Sequence, residues 1–89
     1  MLVTSMIVKV DPAKAQELAR QFGRIRGVTT YGVHKENNIV VVAEARDEGQ
    51  LENLARYIAE SFEGVWGVFP TFVASDESVD AAIGTAPQH

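Results

Sequence analysis

Ile39-Val40-Val41-Val42-Ala43-Glu44-Ala45 is the stretch that decides the architecture. Four of its seven residues are β-branched and the run is too short for an ordinary helix, so it reads as a central strand with both faces mostly covered. Just upstream, Lys35-Glu36-Asn37-Asn38 is polar and turn-prone, and Val28 to His34 is rich in β-branched and aromatic residues. These segments make a hairpin. Just downstream, Asp47 followed by Gln50 resembles a capping box, and Leu51, Leu54, Ala55, Ile58 and Phe62 recur at helical spacing until Gly64 ends the helix.

Farther out the same grammar repeats. Met6, Val8 and Val10 alternate with Ser5, Ile7 and Lys9 as a first strand. Asp11 and Pro12 suit a helix start, and Ala15, Leu18, Ala19, Phe22 and Ile25 form one apolar stripe that stops near Gly27. Val65 to Ala74 is the last strand, and Pro70 within it indicates a sheet edge, where a missing N–H faces no neighbour. The exits Arg26-Gly27-Val28 and Glu63-Gly64-Val65 echo one another, so two βαβ halves are implied. Hairpin adjacency and right-handed crossovers then give an α+β, ferredoxin-like βαββαβ sandwich: a four-stranded antiparallel sheet in the order 4-1-3-2 with two helices on one face. Residues 1–75 form this domain, and residues 76–89 lose periodicity and are expected to be a flexible acidic tail.

Composition narrows the partners. The chain has 89 residues, with 8 Lys and Arg against 12 Asp and Glu for a net charge of −4, which speaks against nucleic acid. The longest uncharged stretch, Gly64 to Ser75, is too short to span a bilayer, so no membrane insertion is expected. No basic leader precedes the first strand and there is no cysteine, which fits a cytoplasmic location. His34 and His89 stand far apart without ligand spacing, so no metal or other cofactor is expected. Acid pairs such as Glu60 with Glu63, or Asp76 with Glu77, read as solvated charges, and no phosphate loop or nucleophile elbow occurs. No residue is assigned a catalytic role, and the chain reads as a binding protein and not an enzyme.

The face left open by the helices carries the functional reading. Strand polarity places Ser5, Ile7 and Lys9 outward from the first strand and Val40, Val42 and Glu44 from the third. Strict alternation in the fourth strand puts Val65, Gly67, Phe69 and Val73 inward and Trp66, Val68, Pro70 and Phe72 outward. In the second strand, Tyr31 and Val33 inward would leave Thr30, Gly32 and His34 outward, whereas Val28 requires the opposite phase unless a bulge intervenes. An apolar patch of this size needs a cover: the tail, a second copy in a weak homodimer, or a partner's apolar helix. Ile7, Val40, Val42, Glu44, Trp66, Val68 and Phe72 are the candidate peptide-binding residues.

Ser5-Met6-Ile7-Val8, Gly27-Val28, Ile39 to Ala45 and Glu63-Gly64-Val65-Trp66-Gly67-Val68, followed by an acidic tail, resemble the NapD family over residues 3 to 77. These are small cytoplasmic chaperones of periplasmic nitrate reductase. The resemblance implies a protein that binds the twin-arginine signal peptide of a molybdoenzyme catalytic subunit and restrains export until the cofactor is loaded. An acidic protein with an apolar sheet face matches the cationic and apolar regions of such a peptide. Glu44, Glu36, Asp76 and Glu77 are candidate partners for its arginines. The alternative is a dimeric ferredoxin-like enzyme or small-ligand sensor, with a pocket between two sheet faces drawing on Ser5, Lys9, His34 and Glu44.

Overall fold

Thr4, Met6, Val8 and Val10 of strand β1 (Leu2–Val10) are buried, whereas the intervening Ser5 and Ile7 are half-buried and Lys9 is exposed, so one face of the strand belongs to the core. The computed structural model describes residues 1–75, with side chains through Thr71, and adds α1 (Ala15–Phe22), β2 (Val28–His34), β3 (Asn38–Ala45), α2 (Glu48–Ser61) and β4 (Val65–Ser75). The antiparallel sheet runs β2-β3-β1-β4, the expected order, and β4 with its Pro70 is an edge. The expected tail falls outside the described residues.

The inward row of β1 meets Ile39, Val41 and Ala43 of β3, and Leu18, Phe22 and Ile58 close the core from the helix layer. Helix α1 packs over β2 and β3, and α2 over β4 and β3. Phe62, just past α2, sets its ring edge-on to Phe22 at 5.0 Å between centroids, which ties the two helix ends together.

Local chemistry explains the boundaries. Asp11 accepts a hydrogen bond from the Ala13 N–H at 3.0 Å, and Pro12 opens a single 3₁₀ turn that leads into α1. The Asp47 carboxylate caps the Gln50 N–H at 2.8 Å while the Gln50 side chain accepts from the Arg46 N–H at 2.6 Å, so the reciprocal cap is formed. Helix α1, however, ends at Phe22, well before Gly27. Tight turns follow, in which the Arg24 and Ile25 N–H groups bond back to Gln21 and Phe22, and Ile25 still packs on the core. The apolar stripe therefore outlasts the helix.

The two halves are strapped together at their echoed glycines. Gly27 (φ +82°) accepts the Glu44 N–H through its carbonyl at 2.8 Å, and Gly64 (φ +96°) accepts the Asp11 N–H at the same distance. Each helix exit is thus fastened to the end of the other half's first strand.

Three departures from regular pairing set the faces of the outer strands. Thr30 pairs with Val41 and Val33 with Ile39, so Tyr31 and Gly32 together oppose Val40 in a bulge, with Gly32 at φ +91°. The β1–β4 register shifts between Lys9 and Val10 and again between Ser5 and Met6, which leaves Trp66 and Thr71 as extra residues. Thr71 compensates by donating its hydroxyl to the Ser5 carbonyl at 3.1 Å. The consequence corrects the simple alternation: Val65 faces Val10, Val68 faces Val8 and Pro70 faces Met6, all on the helix side, whereas Gly67 faces Lys9 and Phe69 faces Ile7 on the open side. Val68 accordingly packs against the core, and Pro70 lines a small cavity with Met6, Leu51 and Ala55.

Two pairs of substitutions test this fold. A Cβ on Gly27 would lie 2.9 Å from the Glu44 carbonyl oxygen, so Gly27→Ala is expected to cost about 2 kcal/mol or more, whereas Glu36→Gly, at φ +72° in the hairpin turn, should gain about 0.5–1 kcal/mol. Val68→Asp should cost about 3 kcal/mol through its core contact, and Phe69→Asp less than about 1 kcal/mol. Urea melts of the four variants measure both contrasts.

Candidate functional site

Every second row across the sheet lies on the open face, and register places the residues row by row. At the hairpin end His34, Asn38, Lys9 and Gly67 align. The next open row is Tyr31 with Gly32, then Val40, Ile7 and Phe69; after it come Thr29, Val42, Ser5 and Phe72. The far row holds Glu44, Val3 and Ala74. The middle of the face is therefore apolar and its ends carry charge.

Ile7, Val40, Val42 and Glu44 stand on this face as read from the sequence. Trp66 is 63% exposed at the bulge beside Gly67, at one corner of the sheet. Phe72 pairs with Ser5 in the backbone register, and its side chain lies outside the described ones. Val68 does not join the face, because the bulge at Trp66 turns it toward the helices. Phe69 takes that place instead, 55% exposed; a Cβ on Gly67 would come within 2.8 Å of its ring, so the ring lies over the glycine. Tyr31, 59% exposed, is not inward, and Thr30 is the residue whose phase matches Val28.

Sequence reasoning missed Phe69 and Tyr31, yet a signal existed. Val65 and Val68, like Val28 and Val33, are core residues an odd number of positions apart in one strand, and both can point inward only if one residue is looped out.

The candidate arginine partners do not form one patch. Glu36 lies in the hairpin turn beyond His34 and next to Lys35, whereas Glu44 is at the opposite end of β3. Asp76 and Glu77 lie outside the described residues. His34 directs Nε2 to the Tyr31 carbonyl at 3.1 Å, a bond that braces the strand across its bulge. On the outer side of α1, Glu17 is held below the usual carboxylate range by the Gln21 side-chain amide and by Arg20, remote from the open face. Among the described residues, no group of three His, Asp or Glu side chains is arranged to hold a metal, and no helix is long and apolar enough to cross a membrane.

The face offers hydrophobic area between two charged ends. Comparison with known proteins agrees on the frame. The solution structure of the E. coli Tat proofreading chaperone protein NapD superposes with a TM-score of 0.72 at 21% identity, covering 84% of this chain and 79% of that one. The crystal structure of hypothetical protein PHS023 from Pyrococcus horikoshii matches with a TM-score of 0.64 at 18% identity, covering 84% of this chain and 90% of the other. A search of curated protein sequences finds no match. The family model described as NapD protein matches residues 1–77, which takes in every described strand and helix, and the chain belongs to the NapD family.

Proposed function

We propose that this chain is a cytoplasmic chaperone that binds the twin-arginine signal peptide of a periplasmic nitrate reductase-type molybdoenzyme precursor and restrains its export until the cofactor is loaded. The observation that carries the reading is the apolar centre of the open face, where Ile7, Val40, Val42, Tyr31 and Phe69 share adjacent positions with neither helix above them. Family membership supports the same partner, as does the fold shared with a protein described as a Tat proofreading chaperone.

The form of the bound peptide follows from hydrogen bonding. Strands β1 and β3 are flanked on both sides, so their backbone groups are committed to the sheet and the face offers only side chains. A peptide lying there must satisfy its own amides, and a helix does so while presenting one apolar stripe. Ordering the peptide and losing its free motion offset much of the burial, leaving a Kd of roughly 10⁻⁶ to 10⁻⁸ M, about 8 to 11 kcal/mol. The catalytic alternative has no comparable support, since it would need polar groups converging on a pocket, and the centre of this face is apolar.

Titration of an isotope-labelled twin-arginine signal peptide tests the reading. The peptide should acquire helical shifts, and the protein should respond at Ile7, Val40, Val42 and Phe69. Perturbation confined to α1 and α2, or extended-strand shifts in the peptide, would count against it. Trp66→Ala should weaken binding by about 2 kcal/mol or more, as an aromatic anchor does, and change stability by less than about 1 kcal/mol.

A further inference from the structure

Side-chain size changes from strand to strand across the middle row of the open face. The two border strands carry exposed rings, Tyr31 on β2 and Phe69 on β4, whereas the central strands carry the smaller Val40 and Ile7. Three strand spacings separate the borders, about 14 Å. An α-helix with its side chains is about 10 to 12 Å across, so one helix fits between the rings when it lies along the strands. Laid across the strands, it would ride over both rings and lose the floor between them. Lengthwise, the six positions of β1 from Val3 to Lys9 offer about 20 Å at about 3.3 Å per residue. A helix of that length holds about 13 residues, which falls within the roughly 7 to 15 of a signal peptide's apolar region.

The Phe69 ring owes its place to what is missing beside it. Gly67, paired with Lys9, is the neighbouring open-face position of β4, and a Cβ there would come within 2.8 Å of ring carbons Cε2 and Cζ. Gly67 is not among the glycines at positive φ, so the position requires room and not an unusual backbone. On β2 the bond between His34 Nε2 and the Tyr31 carbonyl steadies the bulge that carries the other ring. Charge does not choose a direction for a ligand here, because Glu44 shares its cavity with Arg26 and Arg46 and that end of the face is electrically mixed.

We propose that Tyr31 and Phe69 are the two walls of a trough that aligns the peptide helix along β1 and β3, and that Gly67 is the positioning residue that keeps the Phe69 wall in place. This rests on the reading that the face takes a twin-arginine peptide. Ile7, Val40 and Val42 form the floor and meet the apolar stripe of the helix, while each ring covers one of its flanks. Shape sets the alignment, and either polarity of the peptide satisfies it. A side chain at Gly67 would touch neither the floor nor the core: it would turn the Phe69 ring aside and open one wall, with the fold intact because the ring is exposed.

Paramagnetic broadening on the full-length, isotope-labelled chain reads the alignment. Two twin-arginine peptides, each carrying a nitroxide at one end of the apolar stretch, are added in turn. Each label should broaden one end of the central strands most strongly, either Val3 with Glu44 or Lys9 with Asn38, and the two labels should select opposite ends. Labels that select the middle of β2 and the middle of β4, or that broaden both ends alike, would overturn the alignment while keeping the docking face. No broadening, or broadening confined to α1 and α2, would overturn the peptide-binding reading itself. Tyr31→Ala and Phe69→Ala should each weaken the peptide about tenfold, and unchanged affinity in either would remove that wall. Gly67→Ala should weaken it about fivefold at an unchanged urea midpoint, but no more than about twofold in a Phe69→Ala background, where there is no ring left to displace. An undiminished effect in that background, or a lowered midpoint, would overturn the positioning role.

Discussion

The pairing of β1 with β3 runs from Leu2 opposite Ala45 to Lys9 opposite Asn38 without a shift, and everything else in the molecule is arranged around it. A slip of one residue would carry Met6, Val8 and Val10 away from Ile39, Val41 and Ala43 and send one set or the other into water. The same pairing decides what is left over: if those residues go inward, Val3, Ile7, Val40 and Val42 must go outward. The apolar open face is a geometric by-product of the core, which the helices, both on the other side, cannot cover.

Much of this was legible in the sequence. Four β-branched residues in a row at Ile39 to Val42, the polar turn before them and the Asp47–Gln50 cap after them were sufficient to give strand, hairpin and helix, because each depends on local chemistry. What was not legible depended on competition between distant residues. Helix α1 stops at Phe22 although Ile25 continues its period, because a turn can deliver a side chain to the core as well as a helix can. In β4, strict alternation exchanged Val68 for Phe69 on the open face, since the looped-out residue at Trp66 is chosen by what the core can accept. The hairpin alone separated Glu36 from Glu44, a distance visible in the sequence once the turn is recognised.

Separating core from face along each strand also separates two kinds of mutational consequence. Val8, Val41 and Val68 hold the fold, while their neighbours Ile7, Val40 and Phe69 are free to serve a partner at small cost to stability. A surface of this kind offers shape and apolar extent more than individual polar groups, which suits the proposed ligand, a peptide with a charged end and a greasy stretch.

The irregular outer strands have an effect of another kind. A sticky face between two regular edges would invite copies to join strand to strand and grow into an extended fibrous sheet. Here β2 is broken by the Tyr31–Gly32 bulge, and β4 by its extra residues at Trp66 and Thr71 and by a proline that has no N–H to offer. Neither border presents the evenly spaced donors and acceptors that a further strand requires. The residues that steer Phe69 onto the open face therefore also guard a protein with exposed hydrophobic area against aggregating through its margins.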